Sequence, residues 1–268
     1  MQKAAEAIEE IKAVAPNVNA SFIKCDLSFL PSVKKAAQEF NSQSSRLDIL
    51  MCNAGISWTH PAVTVDGYEK IFAINHLGHA LLIKLLLPTL LKTAAEPDSD
   101  VRIVSLSSVQ HREAPKEGII FKDLKTTQSY IPFVTRYSQS KLANVLYARS
   151  LAKKYPSITT VSVHPGFVDT NMPNNEVIKD SILWKIFWVT VTTVAKILMF
   201  LTGWGLHTPE DGAKTQLWAA TAKEGPVNGM YYEPVAVTGK DSKLSKDEKL
   251  MEELWDWTEE QLEKYPAS

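Results

Sequence analysis

A chain of 268 residues, 45% hydrophobic and 22% charged, is long enough to bury a large α/β core and too apolar to be disordered. Its formal net charge is −1 and it has no dense Lys/Arg run, which excludes nucleic acid as the main partner, because such binding rests on neutralising phosphates. Cys25 and Cys52 make neither a disulfide framework nor a metal set, which points to a reducing compartment, the cytoplasm.

Met1 to Ala15, MQKAAEAIEEIKAVA, favours helix from its first residue and lacks the charged-then-apolar layout of a signal peptide. The sequon Asn19-Ala20-Ser21 is therefore read as a chance match. The first helix, 2–15, ends before Pro16, and Ala20–Cys25 is a short strand followed by Asp26. A second helix spans Leu30–Phe40, and an apolar run, Leu47–Cys52, forms a strand that ends at Asn53-Ala54-Gly55. A long helix covers about residues 67–92, opened by an Asp66/Glu69 capping box and kinked late by Pro88. Val101–Leu106 is a strand running into Ser107-Ser108, and the polar stretch 109–134 has no clear period. Arg136–Lys154 is a helix, and Thr159–Val163 is a strand that stops at His164-Pro165-Gly166. After an aromatic-rich insertion at 167–208 come a helix, Glu210–Thr221, a short strand, Gly229–Tyr232, and an acidic amphipathic helix, Leu244–Tyr265. Such alternation predicts a parallel sheet covered on both faces in one domain, since no repeat, low-complexity linker or domain boundary interrupts it.

In open α/β sheets, ligands bind beyond the carboxyl ends of the strands. Asp26, Asn53-Ala54-Gly55, Ser107-Ser108 and Pro165-Gly166 all fall there. Tyr137 and Lys141 stand at i and i+4, on one helix face. A phenol with a pKa near ~10 is a poor acid/base at neutral pH. A fixed cation beside it favours the phenolate and moves the pKa toward the working range. Ser108 supplies a hydroxyl to hold a substrate oxygen against Tyr137. Singly each feature has a plainer reading: Ser107-Ser108 as a turn or cap, Asn53-Ala54-Gly55 as a tight turn, Asp26 as an N-cap, Asn75 as a core amide. Together, in this order and between these elements, they form a set suited to hydride transfer to a carbonyl.

The set resembles the short-chain dehydrogenase/reductase family, and within it the retinol-dehydrogenase-like and WW-domain-oxidoreductase-like members. The resemblance runs from residue 1 to about 235, through Cys25-Asp26-Leu27, Asn53-Ala54-Gly55, Asn75-His76-Leu77-Gly78-His79, Arg102 to Ser108, Tyr137-Ser138-Gln139-Ser140-Lys141-Leu142-Ala143-Asn144 and His164 to Thr170. It implies Tyr137 as proton donor or acceptor. Lys141 would lower the phenol's pKa and bond the nicotinamide ribose. Ser108, ahead of Ser107, would polarise the substrate carbonyl, and Asn75 would hold a water linking Lys141 to solvent. Asp26 would contact the adenine and Asn53, with Ala54 and Gly55, the adenosine ribose region. Pro165, Gly166, Val168 and Thr170 would border the nicotinamide amide. The cofactor implied is NADP, with NAD as the alternative; a homodimer is a further expectation.

The family's phosphate loop, Gly-x-x-x-Gly-x-Gly, does not occur in the sequence, whose first glycine is Gly55; Gly203-Trp204-Gly205 ends an apolar helix and opens no new one. The expected fold is therefore a Rossmann-type doubly wound parallel sheet lacking its first two strands, short by about 30 to 40 residues, or one strand–helix–strand unit. The Ala20–Cys25 and Leu47–Cys52 strands would then lie three spacings apart, roughly 14 Å. On this expectation the chain binds NADPH weakly or not at all. The segment 182–202, ILWKIFWVTVTTVAKILMFLT, carries Lys185 and Lys196 on nearly one helix face. It reads as a substrate-pocket lid, as a helix lying in a membrane surface, or as a membrane span. The first two imply a lipophilic substrate of retinoid, steroid or secondary-metabolite type. The competing function is a catalytically inactive relative with a binding role.

Overall fold

The computed structural model describes residues 2–57, 59–168 and 208–266. The insertion, with the expected lid helix at 182–202 and Thr170, lies outside them. Four strands, β1 (Ile49–Cys52), β2 (Arg102–Leu106), β3 (Thr159–Val163) and β4 (Tyr231–Tyr232), pair in that order, all parallel. Register runs from Ile49 opposite Arg102 and from Arg102 opposite Thr159. Both central strands are buried almost throughout, and their residues read as near-continuous apolar or small runs, as a sheet covered on two faces requires.

Six long helices lie in the described residues: α1 (Gln2–Val14), α2 (Leu30–Gln43), α3 (Lys70–Ala94), α4 (Phe133–Lys154), α5 (Pro209–Thr221) and α6 (Glu248–Gln261). The larger core joins α2, α3, α4 and α6 through Val33, Phe72, Leu81, Leu142, Leu146 and Leu254. The opposite face packs Val104, Val161 and Val163 against Ala219 and Ala220 of α5. α3 is long and apolar enough to cross a membrane, but 72% of its most apolar stretch is buried inside the protein, as in a core helix. By contrast, α1 buries none of its residues.

Several expectations are corrected. Ala20–Cys25 is not a strand; it is irregular, and no strand lies beside it among the described residues to take its backbone hydrogen bonds. The Asp66/Glu69 capping box does not form. Glu69 alone caps α3, accepting from Phe72 N at 2.7 Å, while Asp66 accepts from Leu30 N at 2.8 Å and so ties α2 to the start of α3. The departure from α geometry in this helix is a π turn at Ala73–Leu77, with Pro88 inside the regular part. The C-terminal helix is divided: Leu244–Lys246 is a 3₁₀ turn, and Asp247 then caps α6 by accepting from Lys249 N and Leu250 N at 3.0 and 3.1 Å.

Where α3 returns to α geometry, Gly78 lies under the loop after Asp26. A Cβ there would stand 2.6 Å from the Leu27 carbonyl oxygen, so only glycine lets the backbones approach. Gly78→Ala should therefore lower stability by about 1–3 kcal/mol. An unchanged denaturant midpoint would contradict this contact.

Candidate active site

The site is assembled where β1, β2 and β3 end. β1 hands the chain to Asn53-Ala54-Gly55, β2 to Ser107-Ser108, and β3 to His164–Val168, with Ser107 N donating to Val163 O at 2.8 Å. Helix α4 runs beneath, presenting Tyr137 and Lys141.

Ser107 and Ser108 divide their roles. Ser107 Oγ donates to the Lys141 carbonyl at 2.7 Å and pins α4 to the sheet. Ser108 lies beside the Tyr137 phenol, where its hydroxyl favours the phenolate. Its Oγ also accepts from Gln110 N at 3.2 Å, so the plainer reading as a turn cap is correct as well. His111 holds the same turn, its Nδ1 donating to Ser108 O at 2.7 Å while its Nε2 accepts from Ser242 N at 3.1 Å.

Lys141 is buried, and its Nζ donates to Leu106 O at 3.0 Å, 5.5 Å from the centre of the Tyr137 ring. Asn144 Nδ2 donates to the same carbonyl at 2.9 Å. Burial lowers the ammonium's pKa to about 8. The phenol departs from expectation: burial pushes Tyr137 up to about 12, and the Ser108 hydroxyl only partly opposes it. Desolvation dominates at the phenol, and Lys141 spends one hydrogen bond on the Leu106 carbonyl.

Asn75 sits in the π turn and clamps the loop after β1. Its Oδ1 accepts from Ile56 N at 2.8 Å, and its Nδ2 donates to Ile56 O at 2.8 Å and to Ser140 Oγ at 3.0 Å. Both amide hydrogens are thus spent on protein, so the expected water relay cannot use them. Beside it, Gly55 packs close: a Cβ there would be 3.0 Å from Asn75 Oδ1 and 3.5 Å from Lys141 Nζ, so a side chain would crowd both. His79 Nε2 donates to Ala54 O at 2.8 Å, and burial lowers its pKa to about 4, which keeps it neutral.

The structure thus brings together Gly55, Ala54, Asn75, Ser108, Tyr137 and Lys141. Pro165, Gly166 and Val168 follow β3 along the same sheet end; Gly166 has φ +92°, and a Cβ on Gly212 of α5 would come within 2.3 Å of Val168. Asn53 is exposed at the β1 end. Asp26 is spent locally, accepting from Ser28 N at 2.9 Å and Ser28 Oγ at 2.6 Å; these bonds lower its pKa. Sequence reasoning gave no separate role to His79, Asn144 or His111. The first two stand inside quoted motifs, which was the available signal.

A family model described as short chain dehydrogenase matches residues 1–180. The chain is 35% identical to the short-chain dehydrogenase/reductase drtF of Aspergillus calidoustus, over 98% of this chain and 83% of that protein. It is 33% identical to polyprenol dehydrogenase of Homo sapiens, over 94% of this chain and 72% of that protein, and 36% identical to retinol dehydrogenase 12 of Bos taurus, over 94% and 73%. Among solved structures, an uncharacterised protein from Mycobacterium paratuberculosis matches with a TM-score of 0.63 at 26% identity, covering 89% of this chain and 74% of that one. The NADPH-bound carbonyl reductase from chicken fatty liver matches with a TM-score of 0.56 at 21% identity, covering 88% and 82%, a likeness of fold. The chain belongs to the short-chain dehydrogenase/reductase family of oxidoreductases, which act on the CH–OH/C=O couple.

Proposed function

We propose that this protein reduces the carbonyl of an apolar small molecule with a nicotinamide cofactor, NADPH ahead of NADH, in a single catalytic domain. The observation that carries the reading is the convergence of Ser108, Tyr137 and the buried Lys141 at the end of the sheet, with Lys141 Nζ 5.5 Å from the centre of the Tyr137 ring. The cofactor's nicotinamide end suits the residues there: Gly55 offers bare backbone next to Asn75 and Lys141, where a side chain would intrude. Lys141 would hold the ribose, and Pro165, Gly166 and Val168 would flank the nicotinamide amide. Asp26 and Asn53 would serve the adenosine half. When bound, the nicotinamide supplies the hydride.

The chain's own residues handle the oxygen and the proton. Ser108 donates a hydrogen bond to the substrate oxygen. Tyr137 gives it the phenolic proton, and a phenol held at about 12 is protonated at neutral pH, ready to donate. Asn75 keeps Gly55 and Ile56 in place against α4. A lipophilic substrate is supported by the similarity to proteins named polyprenol dehydrogenase and retinol dehydrogenase.

The test is a melting scan with NADPH, which decides first whether the dinucleotide binds in the absence of a Gly-x-x-x-Gly-x-Gly loop, followed by NADPH consumption with a polyprenal, retinal and a small polar ketone. Turnover on the long apolar carbonyls above the polar one is expected. A protein that binds NADPH, detected as a melting shift, yet turns over none of them is a binding relative instead.

A further inference from the structure

Arg136 is the largest side chain fully buried in the described residues, and nothing in the proton or hydride chemistry uses it. Its side chain is 2% exposed and that of its partner Glu69 is 0%. Nη1 donates to Glu69 Oε1 at 3.0 Å, and Nη2 donates to Thr59 O at 3.1 Å. Glu69 Oε2 accepts from Phe72 N at 2.7 Å, and the Glu69 backbone N donates to Leu124 O at 2.8 Å.

The three segments that meet here each lead to a site residue. Thr59 belongs to the loop that starts at Asn53 and includes Gly55. Glu69 opens α3, which carries Asn75 six residues on. Arg136 directly precedes Tyr137. A buried ion pair is a poor source of stability, because desolvating two charges offsets most of their attraction, and apolar side chains of similar volume serve as well or better. What an apolar pair cannot do is fix direction. A planar guanidinium has donors at set angles, so two acceptors engaged by one fork are held at a set orientation to the backbone that carries it.

We propose that Arg136, paired with Glu69, is a positioning residue that sets the aim of Tyr137 relative to Ser108 and to the Gly55–Asn75 side of the site. The proposal rests on the reading of Tyr137 as proton donor. Arg136 touches neither substrate nor cofactor; it acts by joining the three segments.

The test uses the whole chain and two variants. Glu69→Leu with Arg136→Met removes both charges together, and Arg136→Lys keeps the charge and loses the fork. Turnover with NADPH is measured alongside the ¹³Cζ-tyrosine resonance of Tyr137, assigned by its loss in Tyr137→Phe. Either folded variant should keep KM values near those of the wild type, lose kcat on the order of 100-fold, and show a shifted or broadened Tyr137 resonance. Wild-type kcat and an unmoved resonance in a folded variant would overturn the proposal. If the double variant does not fold, Arg136→Lys decides by the same two readouts. Undiminished turnover in Tyr137→Phe would instead sink the proposed function, and the resonance would still report whether Arg136 positions the phenol.

Discussion

Tyr137→Phe should lower carbonyl reduction by roughly 10²- to 10⁴-fold, the usual contribution of a positioned acid. NADPH affinity should stay near that of the wild type, because the phenol supplies a proton and makes little of the dinucleotide contact. The two directions should also differ with pH. Reduction needs the protonated phenol, which persists up to about 12, so Tyr137 sets no alkaline limit on it near neutral pH. Alcohol oxidation needs the phenolate, and its rate should climb as pH rises. Lys141 adds a second limb: its pKa of about 8 means that any cofactor affinity drawn from the ammonium should decline above about pH 8. Steady-state rates in both directions across pH, with wild type and Tyr137→Phe, check these expectations. Equal turnover in the variant would remove Tyr137 from the chemistry.

Arg136→Met should have the largest effect on stability, about 3–5 kcal/mol, because it strands Glu69 as a buried charge without its partner. Burial already raises the pKa of Glu69, while Phe72, Ile71 and Arg136 oppose the rise. Without the guanidinium it should rise further. A carboxyl whose folded-state pKa lies above its unfolded value binds its proton more tightly when folded. The stability linked to that proton is full below the unfolded value, ~4.3, and is lost as pH rises through the folded value. The variant should therefore approach the wild type in acid and fall away from it toward neutral pH. Denaturant midpoints at a series of pH values provide the measurement; a gap that is constant with pH would mean that Glu69 is not the group left exposed to the change.

Local pattern carried the sheet and most of the site. β1 to β4 are short runs rich in apolar, β-branched or aromatic residues, and the groups after β1, β2 and β3 are polar or glycine-containing, so order and function were legible together. Ala20–Cys25 has the same local character, but a strand is completed by a neighbour, and propensity cannot state whether the neighbour is there. The desolvation that raises the phenol's pKa was not legible, for a related reason. Spacing places Lys141 on the face of Tyr137, but it cannot show that the ammonium is turned to Leu106 O or how much water burial removes. Arg136 and Glu69 lie 67 positions apart; Glu69 reads as a capping residue and Arg136 as the first residue of a helix, with nothing to link them. Their burial exists only in three dimensions.

The π turn at Ala73–Leu77 has a bearing on how this chain can change over evolutionary time. Such a turn holds one residue more than the surrounding α-helix needs, so it amounts to an insertion retained inside a helix. Each α-helical residue advances the helix by about 100°. Deleting one residue here would let the helix become regular and would swing Glu69 by about that angle relative to Gly78, away from Arg136 and away from the β1 loop. The more regular helix would lose the register that places Asn75 against Ile56 and Ser140. Length variation should therefore be absent from this turn in any descendant that keeps the site, even where the loops around it grow or shrink.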